Sequence, residues 1–364
     1  MIDVLIVSLG STGGLRAVDE ELLGSLRRAG ATAGIVRAEP QPPVRTLMLT
    51  DLRWALAARA AVKAELARSP ARALIYSTTT AAMLWPRVGA IRFDAPASAN
   101  RPGRHGLWQR PLERRRLREA PLLLPQSAGA LNEIGSQTFR ADALVVGVPV
   151  EPSSLHGDTS HPPGDASDRQ EDARNPRAPA SVAEGLRIHP QARDIAAITY
   201  AANPAKKGLD RILQAWRVAR KPGEELVVAG VSERELRKLG YVLPAEGVRI
   251  SPMLSGEDYR ALLRRARVFV CAARREDYGI AQLEALADGC MLVTTPSPGP
   301  YVALPIAREL DRRLVGEDLA AGLRVALDDP VHGYAERALR ALIPFGRVEV
   351  DRLVAEELLP RLLA

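Results

Sequence analysis

Between Arg267 and Thr295 the chain runs strand, turn, helix and strand in one short stretch, a pattern that fits a parallel sheet with crossover helices. Arg267-Val268-Phe269-Val270-Cys271-Ala272-Ala273 reads as a buried strand. Ile280 to Asp288 reads as a helix stopped by Gly289, and Leu292-Val293 opens the next strand. The intervening turn, Arg275-Glu276-Asp277-Tyr278-Gly279, sets Glu276 just beyond a strand's carboxyl end, where open α/β sheets bind ligands. Within the helix, Ile280, Leu283 and Ala287 form the apolar stripe, and Glu284 falls on the same stripe. A buried, unpaired carboxylate there would cost several kcal/mol, so Glu284 requires a partner, either ligand hydroxyls or a buried Arg.

The same alternation fills both ends of the chain. Asp3 to Ser8 is a strand, followed by a glycine-rich turn and a helix carrying Leu15, Val18, Leu22 and Leu26 up to Gly30. Further strands are expected at 34–37, 73–76, 90–93, 122–124 and 143–146, with a long helix between Asp51 and Arg68. A second run begins at Ile195 and includes 226–229, 249–250, 268–270 and 292–293. Between them, 151–190 is rich in Pro, Ser, Asp, Gly and His without periodicity, which reads as a flexible or disordered linker. The expected organisation is α/β: a Rossmann-like domain over 1–150, the linker, a second Rossmann-like domain over 191–346, and a last helix over 347–364. At 364 residues, two doubly wound domains are natural.

Composition narrows the function classes. Aromatic residues make up only 4%, which argues against a stacking surface for single-stranded nucleic acid, and no recognised nucleic-acid module accompanies the basic residues. The net charge of +7 implies attraction to anions without naming them. No apolar run approaches a membrane span and the start lacks the basic region of a signal peptide, so a cytoplasmic location is expected. Cys271 and Cys290 make neither a disulfide framework nor a zinc set, and no metal site is expected.

Glu276-x7-Glu284, followed by Ala285-Leu286-Ala287-Asp288-Gly289 and a strand, resembles the donor-site signature of retaining glycosyltransferases of family 4. That resemblance implies the GT-B fold, two Rossmann-like domains facing a central cleft, with the last helix crossing back to the first. It implies a nucleotide diphosphate sugar as donor, a glycan or lipid-linked acceptor, no cofactor and no metal, and a place in bacterial cell-surface polysaccharide or glycolipid synthesis. Glu276 would contact the donor sugar and Glu284 the ribose hydroxyls; Asp277, Tyr278, Gly279 and Ile280 complete the turn. Asn203-Pro204-Ala205-Lys206-Lys207-Gly208 resembles the family's Arg-x4-Lys-Gly element that grips the donor diphosphate, but Ala202 stands at the Arg position. Its charge must then come from Lys206, Arg211 or an Arg elsewhere. Gly230, Pro252 and Met253 resemble positions bordering the base.

Gly10-Ser11-Thr12-Gly13-Gly14 joins the first strand to its helix, where backbone N–H groups favour anions. The spacing is not G-x-G-x-x-G, although Glu39 lies where a ribose-binding acid would sit in a nicotinamide enzyme. The loop better resembles the family's Gly-Gly turn near the donor phosphate and acceptor; a tight packing turn is the plain alternative. Asp94 follows a strand where many family members carry His-Asp, here with Phe93 in place of the His, and either orients an acceptor hydroxyl or caps a loop. Arg104, Trp108, Arg114, Arg115 and Arg116 lie in a dense basic segment that faces an anionic acceptor, an anionic membrane surface or simply water. A sugar-nucleotide epimerase or phosphorylase on the same fold, or a catalytically silent sugar-nucleotide or glycan binder, is the alternative function.

Overall fold

The computed structural model describes residues 1–42, 44, 46–101, 103–135, 142–153, 193–242 and 246–364. Most of the expected linker lies outside the described residues.

Two parallel sheets organise the chain. The first contains β1 (Ile2–Ser8), β2 (Ala33–Arg37), β3 (Ala71–Tyr76), β4 (Ala90–Phe93), β5 (Leu122–Pro125) and β6 (Asp142–Ala143), in the spatial order β2-β1-β3-β4-β5-β6. The second contains β7 (Ile195–Tyr200), β8 (Leu226–Ala229), β9 (Val248–Ser251), β10 (Ala266–Cys271) and β11 (Met291–Thr294), ordered β11-β10-β7-β8-β9. In both sheets the first strand is internal and the chain winds away from it in two directions. A crevice therefore opens at the strand's carboxyl end, beside β3 in the first sheet and β10 in the second.

The strands read as continuous apolar runs because helices cover both faces of each sheet. In the first domain, Leu5, Val7, Leu74 and Ile91 bury one face, while Val4, Ile6, Ile75 and Leu124 bury the other. The expected strand at 143–146 is regular only over Asp142–Ala143. Leu144 and Val146 still donate to the carbonyls of Leu123 and Pro125, but Pro125 has no N–H to return and the ladder ends there.

The last helical stretch starts at Arg347 and ends at Leu363, with a widened π turn at Val354–Leu358. That turn falls just ahead of Pro360, which cannot donate to the carbonyl one turn back. The stretch packs on the first domain, where Val350, Val354 and Leu358 meet Leu22, Leu23 and Leu26. Arg28 clasps Asp351 with bonds of 2.6 and 2.9 Å, fixing the register of that packing. Among the described residues no helix is long and apolar enough to cross a membrane.

Candidate active site

Because β7 and β10 are paired neighbours, the loops that leave them meet. Lys207, from the short helix Pro204–Lys207 after β7, places Nζ 2.7 Å from Oε2 of Glu276, which follows β10. Gln282 Nε2 donates to the same carboxylate oxygen at 2.9 Å. Lys206 reaches the adjacent Asp277 at 2.9 Å, and Arg275 grips the other oxygen of Asp277 at 2.7 Å. The Glu276 and Asp277 carboxylates are buried, so these cations are what makes their charge tolerable.

Glycine is required where these loops touch. Gly208 has φ +64°, and a Cβ there would lie 2.0 Å from the carbonyl oxygen of Ala272. Gly279, at φ +96°, precedes the helix Ile280–Ala287, whose first turn no side chain caps. Its leading N–H groups are therefore left without a side-chain acceptor at the helix's positive end.

Glu284 stands half-buried on that helix, 3.7 Å from Arg260 Nη1. Burial pushes its carboxyl up from the ordinary value, Arg260 opposes that shift and Asp288 adds to it. Lys206 is held above its ordinary value: burial works against its charge, but Asp277, Glu276 and Asp94 together outweigh it. Asp94, at the carboxyl end of β4, faces this cluster from the first domain. Burial and the charge of Asp277 raise its pKa, while Lys206 pulls it down.

Other expected site residues fall elsewhere. Asn203 caps the short helix, its Oδ1 accepting from Lys206 N at 3.1 Å. Arg211 turns away to Glu317 at 2.5 Å, which leaves Lys206 as the cation beside Lys207. Tyr278 points to the first domain, where its hydroxyl accepts from Val148 N at 2.9 Å. Gly230 backs onto the ring of Tyr200, whose hydroxyl meets Met253 Sδ at 3.8 Å; Pro252 and Met253 are exposed. Gly13 and Gly14 begin the first helix behind the Thr12 cap, with open space above Gly14. The basic segment divides: Arg104 and Arg114 are exposed, Arg115 pairs with Glu119, and half-buried Arg116 lies over the Trp85 ring and donates to Met83 O. Trp108 is half-buried.

Sequence reasoning missed the support beneath the glycine loop. Ser8 Oγ accepts from Gly10 N at 3.0 Å and donates to buried Asp19, whose carboxylate lies 3.7 Å from buried Arg92. The signal was present, since Asp19 sits on the stripe of Leu15, Val18 and Leu22, as Glu284 does on its own helix. Arg260 and Gln282 carried no comparable signal.

Residues 189–306 match the family model described as glycosyl transferases group 1. That match lies within the second domain and takes in both the Lys207 and the Glu276 loops. Over 105 residues the chain is 35% identical to a GDP-mannose:cellobiosyl-diphosphopolyprenol alpha-mannosyltransferase of Xanthomonas oryzae pv. oryzae, which covers 27% of this chain and 27% of that protein. The match to its Xanthomonas campestris counterpart, at 33% identity, has the same coverage, so the aligned part spans about a quarter of either relative. Among solved structures, WaaG, a glycosyltransferase involved in lipopolysaccharide biosynthesis, aligns with a TM-score of 0.63 at 16% identity, covering 98% of this chain and 100% of that one. Anabaena Alr3699/HepE in complex with UDP and glucose aligns with a TM-score of 0.64 at 12% identity, covering 98% and 99%. These likenesses establish the GT-B fold for the two domains together.

Proposed function

We propose that this protein is a retaining, metal-independent family 4 glycosyltransferase that moves a sugar from a nucleotide diphosphate sugar to a glycan or lipid-linked acceptor. Its setting would be bacterial cell-surface polysaccharide or glycolipid synthesis. The observation that carries the reading is the contact of Lys207 with Glu276 at the crevice between β7 and β10. The charge that a departing diphosphate gains falls to Lys207, Lys206 and the uncapped N–H groups of the helix Ile280–Ala287. Glu276 meets the donor sugar, Glu284 the ribose hydroxyls, and Asp94 orients the acceptor hydroxyl from the opposite domain. The departing phosphate then takes the acceptor proton, and positioning supplies the rest of the acceleration.

The cellobiosyl-diphosphopolyprenol acceptor of the Xanthomonas relatives favours a lipid-linked glycan as acceptor. Exposed Arg104, Arg114 and Leu107 on the first domain would meet the anionic surface carrying such a lipid. Arg115 and Arg116 take little part, because Glu119 holds both.

Incubation with a panel of nucleotide sugars, with and without lipid-linked and soluble glycans, tests this function. Nucleotide release that depends on acceptor supports it. Interconversion of the sugar without release, or binding without turnover, contradicts it.

A further inference from the structure

The first domain holds a cavity of about 310 Å³ at the carboxyl ends of β1, β3 and β4. Ser11 follows β1, Thr78 to Thr80 follow β3, and Asp94 follows β4, so the cavity lies at the edge of the sheet where Asp94 comes within the field of Asp277 and Lys206. We propose that this cavity is an acceptor subsite built for one uncharged sugar ring, an inference that rests on the glycosyltransferase reading above.

Size and lining both point that way. The volume is at the small end for ligand pockets, suited to a single ring. Trp54 offers a half-buried indole, an apolar face against which the C–H side of a pyranose packs, while Thr79, Asn100 and Asp94 offer groups that pair with its hydroxyls.

Charge excludes an anionic ring. Arg101 is the cation of the lining, and its fork is already closed on Asp51 at 2.7 and 2.9 Å. Gln109 adds a third bond to Asp51 at 3.1 Å. A phosphate or carboxylate would have to displace Asp51 and would leave that buried carboxylate stranded. It would also face Asp94 at the mouth, with buried Glu113 close behind, its oxygens 2.8 and 2.9 Å from Ala97 N. An uncharged ring leaves the Arg101–Asp51 pair intact. It also sets a hydroxyl beside Asp94, the residue that feels the charges of Asp277 and Lys206 across the cleft.

Saturation-transfer NMR on the full chain tests the assignment, with methyl glucoside, methyl mannoside and cellobiose as neutral probes against glucose 6-phosphate, mannose 6-phosphate and glucuronate. The neutral probes should receive saturation, and the anionic ones should bind at least about ten-fold more weakly, the lower end of the cost of leaving one buried group unpaired. Trp54→Ala should weaken the neutral probes, and so should Asn100→Ala at the rim, which removes no core packing. Anionic probes that bind as well as neutral ones overturn the assignment, as does neutral binding unchanged in a folded variant of both kinds. UDP and GDP titrated into the same wild-type protein separate the two ideas. Nucleotide binding without neutral-sugar binding overturns the subsite alone, whereas binding of neither overturns the proposed function as well.

Discussion

Arg260 stands 3.7 Å from Glu284 while its Nε holds Asp288 at 2.5 Å and its Nη2 reaches the carbonyl of Glu151 at 2.7 Å. One guanidinium thus joins the proposed ribose acid to the segment that links the two domains.

That geometry predicts a pH effect. The groups bearing on Glu284 are Arg260, which holds its raised pKa down, and Asp288, which pushes it up; the hydroxyls of Tyr200 and Tyr259 lie in its field. A carboxylate that accepts two ribose hydroxyls loses that ability as pH falls through its folded pKa. Arg260→Met should therefore shift the acid-side loss of donor affinity to higher pH, with Arg260→Lys restoring part of the profile. Calorimetric titration of the nucleotide across pH reads this out, and superimposable profiles for wild type and Arg260→Met would contradict it.

The three cations near the proposed donor loop should separate cleanly. Lys207→Ala is expected to cost about 2–4 kcal/mol of transition-state stabilisation, the scale for losing a preorganised charge partner. Lys206→Ala should lose about 1.5–3 kcal/mol, because Ala202 supplies no second charge. Arg211→Ala should change little, since its exposed pair with Glu317 contributes about 0–1 kcal/mol. Steady-state kinetics on the three variants decide, and an Arg211 effect as large as that of Lys206 would reverse the assignment.

Asp19 and Arg92 are fully enclosed, and removing one strands the other. Asp19→Ala should destabilise the first domain by about 3–5 kcal/mol, measured by denaturant unfolding. A loss below about 1 kcal/mol, the level of an exposed pair, would show that the buried charge is compensated elsewhere.

Tyr278→Phe removes the acceptor for Val148 N at the domain junction. The expected loss is about 1–3 kcal/mol from leaving a buried donor unpaired, seen as a lower unfolding midpoint. An unchanged midpoint would mean that Val148 N finds another acceptor.

The fold was largely legible because buried parallel strands are apolar throughout and their helices are punctuated by glycine, so β4 and β8 fall at the expected residues. Lys207 and Glu276 were each legible as residues beyond strand ends, but their contact depends on β7 and β10 being neighbours, which sequence order alone does not give. Side-chain direction was less legible. Arg116 and Arg114 look alike in a basic run, yet one lies over Trp85 and the other faces water, a difference set by helix phase against a distant ring. Tyr278 sits within the turn between Glu276 and Ile280 but spends its hydroxyl on the opposite domain, which no local pattern encodes.

The central claim is that the crevice between β7 and β10 holds the nucleotide diphosphate. Its most direct test is a crystal structure of the protein soaked with UDP or GDP. The account predicts ribose hydroxyls on Glu284 and the distal phosphate within reach of Lys206, Lys207 and the leading N–H groups of the helix Ile280–Ala287. A nucleotide seated instead on the Gly10–Gly14 loop of the first domain, with Lys207 and Glu276 still paired and untouched, would contradict it.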